Sequence, residues 1–175
     1  LVIAQAFGAR LMVVQFQRPT QLASKNTLIT QYAELLHPLC EAGIAARVQV
    51  VLRNHPDNRD QLQLLREIVR AVPGLGLALD LAYAHQKVVK PLVREFLWDS
   101  DLGPRILHIY ASDTPGHTPQ LRLPLGSLGE AGVQWGPVVR DLRERYNASV
   151  TLDIGDANPA YLDLSRQLWL AWWQA

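Results

Sequence analysis

The chain predicts an α/β fold built on a parallel sheet, and three features of its 175 residues carry that prediction. Short apolar runs alternate with longer amphipathic ones, five of each in strict succession. No hairpin turn signal joins one short run to the next. Gly and Pro punctuate the boundaries, as at Gly8, Pro19 and Pro73-Gly74. Strands joined through helices must run parallel, with right-handed crossovers. Two architectures satisfy this pattern, an open doubly wound sheet and a (β/α)8 barrel.

The elements follow in order. Arg10 to Phe16 is short and apolar and predicts a strand. Ser24 to Ala42 places Leu28, Tyr32, Leu35, Leu36 and Leu39 at helical spacing, with Ser24 as N-cap, Gly43 as stop, and Pro38 arguing for a kink or an earlier end. Arg47 to Leu52 is the second strand, and Asn58 to Val72 the next helix, closed by Pro73-Gly74. Leu75 to Leu81 is a strand, followed by a helix from about Lys87 to Trp98. Arg105 to Ala111 is a strand and leads into a Gly/Pro-rich loop reaching Trp135. Val138 to Tyr146 is helical, Ser149 to Ile154 a strand, and Asn158-Pro159 opens a last helix. Trp169, Trp172 and Trp173 share one face of that helix; the spacing predicts packing onto the rest of the fold, with some of the face left to meet a partner.

Composition narrows the function classes. With 49% hydrophobic and 19% charged residues the chain reads as one globular domain over 1–175. A net charge of +1 offers no basic footprint for nucleic acid. The apolar runs are too short to span a membrane. One cysteine, Cys40, excludes an intrachain disulfide, and the absence of a basic n-region argues against a signal peptide, so the expected location is cytoplasmic. Opening directly in apolar sequence points to a segment of a longer chain. Neither G-x-G-x-x-G nor a Walker P-loop occurs, and Gly74 and Gly76 precede a strand, the wrong side for a phosphate loop.

In parallel β/α folds the carboxyl ends of the strands face the functional mouth. Those ends carry Gln15 and Gln17, Arg53 and Asn54, Asp80 and Tyr83, His108, Tyr110 and Asp113, and Asp153; the long loop adds Gln120 and Arg122. Alternation puts His108 and Tyr110 on one face.

The wording and order of four stretches resemble the xylose isomerase-like TIM barrels, the superfamily of sugar isomerases, sugar and inositol epimerases, and endonuclease IV. VVLRNHP (50–56) is similar to the family's "lEN" strand end, and LALDLAY (77–83) to its "lDxxH" strand. ILHIYASD (106–113), followed by QLRLPLGSLGEAGVQW (120–135), resembles "HvHxxD … DxHxxLGxGxidw", and SVTLDIGD (149–156) the closing "itlE". The resemblance implies a (β/α)8 TIM-barrel fold represented by its C-terminal five β/α units, with the first three absent. A preceding segment or a protein partner would then complete the barrel.

The resemblance also implies a divalent metal held by Glu, Asp and His. Here Arg53 stands for the Glu of "lEN", Tyr83 and Tyr110 for two His, and Gln120 and Arg122 for the Asp and His of "DxH". Asp80 keeps its type, and Asp153 replaces the closing Glu. Arginine stays protonated and cannot be a ligand, so the sequence predicts no metal and no other cofactor, with arginine charges in the ion's place. Two functions follow from the resemblance. One is a sugar phosphate isomerase/epimerase-like protein taking a small polyhydroxylated or phosphorylated ligand. Asp80, His108 and Asp153 would then transfer protons, and Arg53, Tyr83, Tyr110 and Arg122 would hold the ligand. The alternative is a catalytically inactive barrel serving as a binding or structural subunit.

Overall fold

The computed structural model describes residues 1–16, 24–54, 61–85, 92–116, 122–155 and 158–175. Five strands, β1 (Leu11–Gln15), β2 (Gln49–Arg53), β3 (Gly76–Asp80), β4 (Ile106–Ala111) and β5 (Ser149–Leu152), form one parallel sheet in the order β1-β2-β3-β4-β5. A doubly wound sheet reverses direction at a switch point. This order never reverses, so successive crossovers lie on the same side and the sheet curls as a barrel wall.

The helices are α1 (Val2–Ala6), α2 (Lys25–Ala46), α3 (Gln61–Ala71), α4 (Leu81–His85), α5 (Val93–Trp98), α6 (Trp135–Arg145) and α7 (Pro159–Gln174). The outward side chains Val50, Leu52, Leu77, Leu79 and Ile109 pack against Leu36, Leu65, Ile68, Phe96, Val139 and Leu142 from these helices in one core. Burial is complete along β3 and falls away toward both ends of the sheet, where β1 and β5 contain no buried residue. No described helix is long and apolar enough to cross a membrane.

Besides α4, a short helix that opens at Leu81 where the pattern predicts the end of a strand, three elements depart from their sequence-based expectation. Gly43 does not stop α2: the helix runs through it and through Pro38 to Ala46. Pro38 and Glu34 both sit on the exposed side, where water can serve the carbonyl that proline leaves without a donor. The stop is a Schellman turn instead, with Arg47 left-handed at φ 57° and the Val48 and Arg47 amides donating to Gly43 and Ile44. The second departure is α1, a short helix before β1 that the pattern did not announce. The third is a bulge in β4: Leu77 pairs with Ile106 but Ala78 with His108, leaving Leu107 as the extra residue. That bulge resets the alternation so that His108 and Tyr110 lie opposite Ala78 and Asp80. The starts expected at Asn58 and Lys87 lie outside the described residues.

Gly43 is required by proximity, since a Cβ there would lie 2.6 Å from the Val48 carbonyl oxygen. Gly43→Ala is therefore expected to lower stability by about 1–3 kcal/mol, although alanine gains ~1 kcal/mol over glycine in an unconstrained helix. Urea unfolding decides the sign, and a stabilised variant would show that the turn yields freely.

Candidate functional site

The sheet places Arg53, Asp80, His108, Tyr110 and Asp153 around one rim. Arg53, the last residue of β2, is 13% exposed by side chain, and its guanidinium lies between two carboxylates. Its Nε donates to Asp80 Oδ2 at 3.0 Å, and its Nη2 donates to the same oxygen and to Asp153 Oδ2 at 2.8 Å. Tyr110 and Tyr83 flank it, with ring centroids 4.0 and 5.0 Å from Cζ. Gln15, at the end of β1, is near enough to the Tyr83 phenol to oppose the rise that burial gives its pKa.

Asp80 is fully buried, and its two oxygens have separate partners. Oδ2 takes Arg53, while Oδ1 accepts the Tyr83 amide at 3.0 Å and so caps α4. Asn54 holds the Asp80 backbone from both sides, accepting its N–H at 2.6 Å and donating to its carbonyl at 3.2 Å. Burial pushes the Asp80 carboxyl up against the downward pull of Arg53 and the Tyr83 amide. Burial also raises both Tyr83 and Tyr110, which are neutral phenols at neutral pH.

Asp153 is shared. Oδ2 accepts from Arg53, and Oδ1 accepts from Arg122 Nε at 2.9 Å and from its Nη2. Arg122 is 48% exposed and sits in the left-handed region at φ 53°. Its carbonyl accepts the Gly155 amide at 2.8 Å. Asp113 anchors the loop that carries Arg122: its buried carboxylate accepts the Thr114 and Val133 amides at 2.9 Å, and its backbone bridges Leu123. A Cβ on Gly132 would lie 2.4 Å from Asp113 Oδ1, so only glycine lets the loop close over this carboxylate.

His108 lies edge-on to Tyr110, with both ring nitrogens engaged, Nδ1 with Ser149 Oγ at 2.8 Å and Nε2 with Thr151 Oγ1 at 3.1 Å. Burial, then the Arg53 charge, holds its pKa below the ordinary value.

The seven residues given a role at the mouth are thus gathered in one network, while Gln17 and Gln120 lie outside the described residues. Both oxygens of Asp80 and Asp153 and both ring nitrogens of His108 have hydrogen-bond partners. The sequence reading placed Asn54 and Gln15 at strand ends without giving them a role, and it did not single out Ser149 and Thr151. Asn54 had a signal in the resemblance to "lEN"; the two hydroxyls had none beyond strand alternation. Among the described residues no three His, Cys, Asp or Glu side chains group as metal ligands. The donor chemistry points the same way: a guanidinium within bonding reach of both rim carboxylates does not fit a divalent cation between them.

The model of the xylose isomerase-like TIM barrel matches residues 1–171. The chain belongs to that family. Among solved structures it is similar to a D-tagatose 3-epimerase-like protein, with TM-score 0.81 and 18% identity over 98% of this chain and 64% of that one. A sugar phosphate isomerase/epimerase from Parabacteroides distasonis gives TM-score 0.70 and 14% identity, over 97% and 60% of the two chains. The 3-keto-D-glucoside 4-epimerase of E. coli gives 0.65 and 17%, over 98% and 66%. No curated protein sequence matches. The chain spans 64% of the D-tagatose 3-epimerase-like protein, close to the five-eighths that five of eight β/α units represent. It is a partial TIM barrel with a sugar isomerase/epimerase-like fold.

Two predictions follow from the geometry. Arg53→Ala strands a buried carboxylate and is expected to cost about 3–5 kcal/mol, whereas Arg122→Ala, at an exposed pair, is expected to cost under about 1 kcal/mol. Denaturant midpoints compare them, and equal losses would contradict the central role of Arg53.

The second concerns pH. The folded chain binds the His108 proton less tightly than the unfolded chain does. The corresponding stability is complete above the unfolded value of about 6.5 and is lost as pH falls through the lowered folded value. Because burial lowers His85 too, the comparison is with His108→Gln, whose stability should fall less steeply below about pH 6.5. Parallel curves would exclude His108 as a source.

Proposed function

We propose that this chain is a sugar phosphate isomerase/epimerase-like protein that binds a small polyhydroxylated or phosphorylated ligand at the strand ends, without a divalent metal and without turning it over. The observation that carries this reading is the Arg53 guanidinium seated between Asp80 and Asp153. A divalent ion 4 Å from that charge would meet a repulsion of roughly 8 kcal/mol at an effective dielectric of 20. The two carboxylates that would attract the ion are already neutralised by arginine.

Proton transfer needs a group with a free lone pair within reach of the substrate. Asp80 is buried beneath Arg53, and His108 is tied at both nitrogens. What remains accessible suits binding. Arg122 is half-exposed, Ser149 and Thr151 are exposed strand residues, and the Tyr110 ring lies beside them. A half-exposed guanidinium suits the phosphate, and exposed hydroxyls on the neighbouring strand the polyol, of a sugar phosphate. The net charge of +1 supports a small-molecule partner over nucleic acid or a membrane surface. The lone cysteine, Cys40, supports a reducing, cytoplasmic setting.

The test combines calorimetric titration with Mn2+, Mg2+ and Zn2+, an epimerisation and isomerisation assay on ketoses, aldoses and their phosphates, and thermal shifts with the same compounds. The expected result is no mole-for-mole metal uptake, no turnover, and a rise in melting temperature with a sugar phosphate that Arg122→Ala abolishes. Stoichiometric metal, or turnover lost in Asp153→Asn, would overturn the reading.

A further inference from the structure

The charged side chains of α6 lie on two flanks of the helix, and only one flank is engaged. Its core face buries Trp135, Val138, Val139 and Leu142. Toward α5, Asp141 meets Arg94 at 3.9 Å, and Arg145 lies over the Trp98 ring with Cζ 5.1 Å from the centroid. Toward α7, Arg140, Arg143 and Glu144 form no ion pair, side-chain hydrogen bond or ring contact among the described residues. With Gly136, Trp172 and Ala175 they line a cavity of about 540 Å³ between the two helices.

The other described arginines show how unusual this is. Arg53, Arg66, Arg70, Arg94, Arg122 and Arg166 meet carboxylates, and Arg105 donates to the Leu75 carbonyl. Apart from Arg140 and Arg143, only Arg10 and Arg47 of the described arginines lack such a partner, and they line a cavity of about 190 Å³ that has no aromatic ring. The larger cavity has one. The tryptophan face of α7 packs inward, where Trp169 meets Trp135 edge-on at 6.2 Å and Trp172 stacks on it at 6.0 Å. Trp135 takes one face of the Trp172 ring, and what remains of this half-buried side chain borders the cavity. Gly136 keeps further space open in the first turn of α6, since a Cβ there would meet nothing within 4 Å.

We propose that this cavity is a second ligand site, for a nucleoside monophosphate, with the base stacked on Trp172 and the phosphate held by Arg140 and Arg143. Arginines three residues apart share a helix face and repel each other until an anion lies between them. Their planar forks match phosphate oxygens two at a time. An indole already fixed by stacking offers a flat surface to a base at little cost in ordering. Glu144 disfavours a bare polyanion beside the arginines and accepts from the hydroxyls of a sugar. A nucleoside monophosphate supplies ring, hydroxyls and phosphate together, and the volume falls within the roughly 300–1,000 Å³ of small-ligand sites. The absence of a glycine-rich phosphate loop does not bear on it, because side chains and not backbone amides hold the phosphate. None of these residues belongs to the network around Arg53, so the proposal is independent of what the mouth binds.

Titration of residues 1–175 with adenosine monophosphate, followed by calorimetry and tryptophan fluorescence, tests it. No tryptophan belongs to the Arg53 network, so quenching reports this cavity and not the mouth. One site per chain is expected, with adenosine, ribose 5-phosphate and inorganic phosphate each quenching with affinity at least about tenfold weaker. Arg140→Gln combined with Arg143→Gln should weaken adenosine monophosphate by at least about tenfold, as should Gly136→Phe, whose ring would occupy the cavity. Arg10→Gln combined with Arg47→Gln removes the same charge at the other cavity and should leave the affinity unchanged. An equal loss in that control would reduce the effect to overall charge and overturn the proposal. So would loss in Arg122→Ala, which would move the nucleotide to the mouth, an affinity no better than that of inorganic phosphate, or no saturation at millimolar concentration. Should Gly136→Phe fail to fold, the two arginine pairs decide alone, since all four side chains are exposed.

Discussion

Asp80 and Asp153 stand on β3 and just beyond β5, and Arg53 reaches both from the end of β2. Two carboxylates converging on a partly water-excluded rim repel each other and lose hydration, costs that only a cation between them can offset. Arg53 supplies that cation, and the surroundings keep it in place. Tyr83 and Tyr110 fix the guanidinium plane, Asn54 fixes the Asp80 backbone, and Asp113 holds the loop from which Arg122 reaches the remaining oxygen of Asp153. Arg53 itself stays protonated: burial opposes its charge, but Asp80 and then Asp153 outweigh that and raise its pKa.

Much of this was legible in the sequence because it depends on strand ends. The alternation of element types locates the strands to within a residue or two, and in a parallel sheet the end of a strand is a place in space as well as in sequence. The order of the strands was less accessible. The pattern allows a barrel or a doubly wound sheet, and the resemblance of the strand-end motifs, not periodicity, favoured the barrel.

What the sequence did not reveal is short-range geometry that leaves no periodic trace. Gly43 reads as a helix stop, yet the stop lies at Arg47, because the αL residue needed there can be non-glycine when the Schellman bonds hold it. The bulge at Leu107 exists only in the pairing of β4 with β3, and neither strand shows it alone. Asp113, one more acid at a strand end, proves to be a loop anchor whose function depends on Gly132 nineteen residues later. The ties of His108 to Ser149 and Thr151 likewise require knowing which strand lies beside β4.

Exchanging a metal for an arginine changes what the mouth can do even where the charges balance. A metal ion binds reversibly, keeps open coordination positions and polarises what enters them. A guanidinium is covalently attached and always charged, and its donors, once matched to carboxylates, have no electrophilic position to offer. On the proposed reading it would keep the mechanical part of the ion's role and give up the chemical part. That mechanical part matters more here than in a closed barrel. In five open strands no hydrogen-bonded ring enforces curvature, and the Arg53–Asp153 bond at 2.8 Å is a chord from β2 to the end of β5 across two intervening strands. Buried ion pairs are poor contributors to net stability but effective at selecting one arrangement over its neighbours. A chord between non-adjacent strands selects curvature.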